Sequence, residues 1–279
     1  MNLKTVTGFI KIEHTLFSLP LIFSGAFLAE NSWPSLRLSV LMIYAGAGAR
    51  VVALALNRII DRHIDSQNPR TRDRHLSLGS LKLFEAWIIT WGGLVLYLFS
   101  AWLISDFCLK WAWVPLVGFA AYPFFKRFTK WTHLGLGLVW SFIPAAGYLA
   151  VKPSLEGILP VLILGLFSVF WLAGFDIIYA TMDEAFDREA GLFSLPACWG
   201  ANKAIKAAGF FHLISFLVLV VMYGVWFSGP LTVMLLALIG ILLFMEQRFS
   251  HHVDLAFFKI NAVIGFAIFA FVISGSKGF

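Results

Sequence analysis

The sequence is poor in charge. Only 13% of its 279 residues are Asp, Glu, Lys or Arg, whereas 60% are hydrophobic. A soluble domain carries about 25% charged residues, so an ordinary water-facing surface cannot be assembled from this chain. Cysteine is nearly missing too. Cys108 and Cys198 stand in different segments, and neither a disulfide framework nor a cysteine-ligated metal is expected from them. No polar stretch is long enough for a soluble domain, and no internal repeat is evident. The opening "MNLKTVTGFIKIEHTLFSLPLIFSGAFLA" has no convincing small-residue cleavage site, so it reads as an uncleaved first helix rather than a signal peptide.

What is abundant is the long apolar run. Nine recur, at about 12–30, 36–60, 82–104, 107–124, 132–151, 158–181, 205–227, 229–247 and 255–275. Each is near the roughly 20 residues that cross a bilayer core as a helix. The expected fold class is an all-α polytopic membrane protein, one domain over residues 1–279, with the lipid bilayer as its surroundings. The net charge of +6 raises nucleic acid as a partner. The basic residues sit at the ends of the apolar runs, however, where membrane orientation and anionic headgroups account for them. No nucleic-acid partner is expected. With the N-terminus and the connections after spans two, four, six and eight on one side, that side holds sixteen of the 21 Lys and Arg. Positive charge is retained in the cytoplasm. The N-terminus is therefore expected inside, the C-terminus outside, in a cell's inner membrane. Glu13 and His14 would anchor the first span at the interface or, alternatively, line an entrance.

The scarce carboxylates are concentrated in two places. In "NRIIDRHIDSQNPRTRDRHLSLG", Asn57, Asp61 and Asp65 are spaced i, i+4, i+8 and share one side of a helix. In "GFDIIYATMDEAFDREAG", Asp176, Asp183 and Asp187 follow at steps of seven and four, with Tyr179 on a neighbouring row. A carboxylate at membrane depth costs about 2.5–3.5 kcal/mol and faces a protein interior with a partner. One explanation is ion pairing with Arg58, Arg62 and Arg188. The other is a shared Mg²⁺, which takes hard oxygen ligands, one or two carboxylates together with substrate phosphates and water. Cations stand just beyond the first acidic run, Arg70, Arg72 and Arg74, and beyond span four, Lys126, Arg127 and Lys130. Arg and Lys bind phosphate oxygens, although orientation alone also explains cations in such loops. Arg50 lies inside span two, about 10 Å deeper than Asn57 at 1.5 Å per residue. It would either pair with a protein carboxylate or hold the carboxylate of an acidic substrate.

Together "NRIIDRHID", "RTRDRHLSLG", "YPFFKRFT" and "DIIYATMDEAFDREAGLFSLP" resemble the UbiA-type intramembrane aromatic prenyltransferases over nearly the whole chain. The resemblance implies nine helices around a central cavity. It implies that Asn57, Asp61 and Asp65, with Asp176, Asp183 and Asp187, bind a polyprenyl diphosphate through Mg²⁺. Tyr179, Arg72, Lys126 and Arg127 would contact the diphosphate, and Asp61, Asp183 and Arg50 would be the catalytic residues. The nearest branch is the bacterial one labelled 4-hydroxybenzoate polyprenyltransferase, some members of which serve menaquinone synthesis. A 4-hydroxybenzoate-type acid, for ubiquinone, and a dihydroxynaphthoate, for menaquinone, both suit a pocket with Arg50. One position departs from the family pattern: His75 stands where many members carry Pro. The rival of another class is a transporter, which also has intramembrane acids but typically shows repeat symmetry or a broken helix near the midplane.

Overall fold

The computed structural model describes residues 8–9, 18–253 and 259–275. No β-strand occurs among the described residues. The helices are α1 (Leu19–Glu30), α2 (Leu36–Ile60), α3 (Arg62–Gln67), α4 (Leu83–Ile104), α5 (Asp106–Trp111), α6 (Trp113–Phe125), α7 (Thr132–Val151), α8 (Leu159–Ala180), α9 (Glu184–Glu189), α10 (Leu195–Trp199), α11 (Ala201–Trp226), α12 (Pro230–Arg248) and α13 (Asn261–Gly275). Among the described residues seven spans are long and apolar enough to cross a membrane: α2, α4, the run Asp106–Phe125, α7, α8 with its continuation to Glu189, α11 and α12. The remaining two of the nine expected spans correspond to shorter apolar helices, α1 and α13. Both adjoin residues outside the described set, where Glu13, His14 and the start of the last expected span also lie.

The helices pack as two compact units, one formed by Leu36–Phe124 with the chain start, the other by Phe17–Ser35 with Phe125–Phe279. In the first unit α2 packs on α4 through glycines. A Cβ on Gly48 would meet the Gly93 carbonyl oxygen and the Tyr97 amide at 2.7 Å, and one on Gly93 would meet Val51 Cγ1 at 2.6 Å. Small residues let backbones approach in lipid, where van der Waals packing drives helix association. Phe9, Ala55, Ile59, Leu81, Ala86 and Ile89 form a buried cluster that seals the end of α2 against the start of α4. Tyr97 Oη donates to the Ala112 carbonyl at 3.0 Å, in the one-residue break between α5 and α6.

In the second unit α8 is the central helix. Its most apolar stretch is 67% buried, against 33% or less for the other six spans, so it is apolar on all sides as a core helix must be. Backbone-close contacts again rest on glycine: a Cβ on Gly137 would overlap the Val169 carbonyl, and one on Gly174 would overlap the His212 ring. α1 lies as tightly on α7, since a Cβ on Gly25 would overlap the Pro144 carbonyl and one on Gly147 the Ile22 carbonyl. A buried polar chain fixes how four helices are rotated. Trp171 Nε1 donates to Asn261 Oδ1 at 2.8 Å, Asn261 Nδ2 donates to Glu246 Oε1 at 2.8 Å, and His212 Nε2 lies 3.8 Å from Glu246 Oε2.

Candidate active site

The first acidic motif stands where α2 gives way to α3. Asp61 is the single residue between them, yet its amide donates to the Asn57 carbonyl at 2.9 Å and the Asp65 amide donates to the Asp61 carbonyl at 2.8 Å. The i, i+4, i+8 register therefore runs through the break. Asn57 Nδ2 donates to Asp61 Oδ2 at 3.2 Å. Asp61 and Asp65 are both buried. Asp65 Oδ2 accepts from Arg74 Nη1 at 2.6 Å, and its carbonyl accepts from Thr71 Oγ1 at 3.0 Å. The "NPRTRDR" loop is thus folded back on α3, and Asn68 Oδ1 accepts from the Arg70 amide at 2.9 Å within it. Arg72 is exposed and Arg50 is half-buried in α2.

The three arginines offered as partners for the acids make the following contacts. Arg62 donates to the Ile59 carbonyl at 3.0 Å, Arg188 pairs with Glu184 at 2.7 Å, and the Arg58 guanidinium lies 5.1 Å from the Phe9 ring centroid. Pairing with Arg74 applies to Asp65. His75 is a loop residue whose carbonyl accepts from Ser80 Oγ at 3.1 Å.

The second motif belongs wholly to the second unit. Asp176 lies one turn before the end of α8, a 3-10 turn over Thr181–Asp183 follows, and Asp187 sits on α9. The step from Asp176 to Asp183 is therefore not continuous α-helix, and the expected single face is interrupted by a tighter turn. Asp176 Oδ2 lies 2.7 Å from His133 Nδ1, in the first turn of α7. Asp187 Oδ2 accepts from Ser194 Oγ at 3.0 Å. Asp183, Lys126 and His133 are electrostatic neighbours of the Asp187 carboxylate, which puts an acidic pair and a cation in one cluster. Tyr179, Asp183, Lys126 and Arg127 are all half-buried. His133 was not singled out by the sequence. It is 43 residues from its partner, and no motif spacing connects them. Ser194 lies in "LFSLP", at the end of the segment that carries the family resemblance.

Among the described residues no three His, Cys, Asp or Glu side chains converge to cage a metal ion. Mg²⁺ asks for less, because it is held through one or two carboxylates while phosphate oxygens and water complete its shell. Each motif by itself offers hard oxygen donors: an amide and two carboxylates in the first, and the neighbouring half-buried carboxylates of Asp183 and Asp187 in the second. The residues fit that ion.

The UbiA prenyltransferase family pattern matches residues 18–261. The chain belongs to that family. A UbiA homologue from Aeropyrum pernix K1, solved in the apo state, is 33% identical and superposes with a TM-score of 0.85, covering 94% of this chain and 98% of its own. A Legionella pneumophila protein named 4-hydroxybenzoate octaprenyltransferase is 31% identical over 199 residues, 71% of this chain and 67% of that one. A Haemophilus ducreyi protein of the same name is 27% identical over 99% of this chain and 98% of its own length. A UbiA homologue from Archaeoglobus fulgidus, bound to GPP and Mg²⁺, shares the fold at 19% identity with a TM-score of 0.71. As a UbiA-family prenyltransferase with seven spans of membrane-crossing length, the protein is an integral membrane enzyme, and the transporter alternative is set aside.

Proposed function

We propose that this UbiA prenyltransferase transfers a polyprenyl group from a polyprenyl diphosphate to an aromatic acid of the 4-hydroxybenzoate type, with Mg²⁺, in respiratory quinone biosynthesis. The observation that carries this reading is the pair of acidic motifs, each with cations beside it, in a chain whose full-length relative is named 4-hydroxybenzoate octaprenyltransferase. Asn57, Asp61 and Asp65 in the first motif, and Asp176, Asp183 and Asp187 in the second, are the oxygen donors each motif would offer to the metal. Mg²⁺ held there would stabilise the negative charge that develops on the departing diphosphate. The fold, in the Archaeoglobus fulgidus protein, accommodates GPP and Mg²⁺.

The chemistry breaks the allylic C1–O bond, whose electron pair leaves with the diphosphate. A carbon of the electron-rich ring bonds to C1, and the ring then loses its proton. Lys126, Arg127 and Arg72 bind the oxygens on which charge accumulates, a stabilisation worth most where donors are fixed in advance. Asp61 and Asp183 are the carboxylates on which that binding depends most. Tyr179 contributes a hydroxyl to the diphosphate, and Arg50 pairs with the carboxylate of the acceptor. An allylic cation must meet the ring before it meets water. A chain with 29 Phe and 11 Trp can supply apolar, cation-stabilising walls. A prenyl tail needs a lipid-facing enzyme, consistent with a site whose cations mark the cytoplasmic face of the inner membrane, N-terminus inside and C-terminus outside.

The acceptor is tested in membranes containing the expressed protein, given geranyl diphosphate and Mg²⁺ with either 4-hydroxybenzoate or 1,4-dihydroxy-6-naphthoate. Prenylated benzoate is the expected product. Prenylated naphthoate alone would move the enzyme to menaquinone synthesis, and no product from either acceptor would contradict the proposed reaction.

A further inference from the structure

The geometry points to His133 as a positioning residue that acts through Asp176, as part of a brace running from the start of α7 to the start of α10. The inference rests on the proposed role of Asp176 in the diphosphate–metal site. Its starting point is a tautomer. The Leu195 backbone N–H points at His133 Nε2 at 3.3 Å, and a backbone N–H can only donate. Nε2 must therefore be the unprotonated nitrogen, which places the ring hydrogen on Nδ1. Nδ1, 2.7 Å from Asp176 Oδ2, is then the donor to the carboxylate. The ring is only 2% exposed and the carboxylate 23%. One carboxylate oxygen is thus tied down inside the protein.

Three consecutive residues complete the brace. The Phe193 amide donates to the Lys126 carbonyl at 2.7 Å, Ser194 Oγ donates to Asp187 Oδ2 at 3.0 Å, and the Leu195 amide donates to His133. Ser194 Oγ also accepts from the Ala197 amide at 3.2 Å, capping α10, and both Ser194 and Leu195 are buried. One short segment, buried at Ser194 and Leu195, therefore sets the positions of the Lys126 backbone, of Asp187 and, through the imidazole, of Asp176. A histidine that donates one N–H to a carboxylate and has its other nitrogen fixed by backbone is the arrangement by which outer residues orient metal-binding groups. Removing such a partner typically lowers metal affinity or activity by about 10–100-fold.

The test compares His133→Ala, His133→Asn and His133→Gln in the full chain, each also in an Asp176→Asn background, by prenyl-transfer rate at varied Mg²⁺ with the amount of folded protein measured alongside. Asn places an amide where Nδ1 stands; Gln reaches instead toward the Leu195 side. His133→Ala is expected to lower the rate by about 10–100-fold and to raise the half-saturating Mg²⁺ concentration. His133→Asn recovers most of that loss, and neither His133→Ala nor His133→Gln adds appreciably to Asp176→Asn. An equal loss in both backgrounds with unchanged Mg²⁺ dependence would overturn the inference and leave His133 as a packing residue. A wild-type rate for Asp176→Asn would instead remove Asp176 from the site and the brace with it, and the two failures are told apart by that one variant. If His133→Ala does not accumulate in membranes, the Asn and Gln variants decide alone: Asn active with Gln impaired supports the brace, and equal rates overturn it.

Discussion

Asn57 is the neutral member of the six residues assigned to the two motifs, and the first of them shows why an amide suits the position. Its Nδ2 donates to Asp61 Oδ2 at 3.2 Å, so the side chain steadies a buried carboxylate without adding negative charge beside it. Asn57→Asp would set two carboxylates at that separation, where they cannot both ionise freely. The variant is expected to lose about 10–100-fold in prenyl-transfer rate, as when a hydrogen bond that steadies a metal-binding carboxylate is lost, with unchanged protein level in the membrane. A wild-type rate would show that the amide donor is dispensable. At this scale the sequence displayed the acids well, because ionised groups at the ends of apolar runs are conspicuous. It concealed their supports. The His133–Asp176 and Arg74–Asp65 contacts depend on how loops and helices return, and only the second lies within a stretch short enough to inspect, nine residues.

Helices were the most legible level. The apolar runs read over 36–60 and 132–151 coincide with α2 and α7, and the run 158–181 with α8 to within a residue at each end, since Pro, Gly or charge bounds each run. The departures are short. The single-residue break at Ala112, the 3-10 turn over Thr181–Asp183 and the small helices α9 and α10 are set by individual hydrogen bonds. Glu184 Oε2, for example, accepts from the Ala201 amide at 2.9 Å, a contact that periodicity does not reveal. Close helix pairing was equally hidden, though glycine is its signal. Gly147→Val would drive its side chain into the Ile22 carbonyl of α1. Overpacking of this kind costs about 1–3 kcal/mol, so the detergent-solubilised variant is expected to melt at a lower temperature than wild type. Gly224→Ala, on α11 with open space around its Cβ, serves as the control and is expected to melt no lower than wild type, since Ala favours helix over Gly. Equal midpoints for both variants would contradict the close packing of α1 on α7.

For the whole molecule, charge distribution sets the proposed orientation and the two acidic motifs set the proposed chemistry. The division into two compact units was not legible, because every apolar run looks alike to composition and packing partners are chosen by shape. Orientation is checked through the chain's only cysteines. Cys198 is an exposed free thiol on α10 and Cys108 is half-buried on α5. In a Cys108→Ser background, a membrane-impermeant maleimide should label Cys198 in inverted inner-membrane vesicles and spare it in intact spheroplasts; the opposite pattern would reverse the topology. The central claim is that both acidic motifs serve departure of the diphosphate. It is tested most directly by measuring diphosphate release and prenylated product together, with and without Mg²⁺, for wild type, Asp61→Ala and Asp183→Ala. One diphosphate per prenylated ring is expected for wild type, abolished by EDTA, with each variant falling roughly 10²–10³-fold, as when an electrostatic stabiliser of a reaction is removed. Normal prenyl transfer by either well-folded variant would contradict the account.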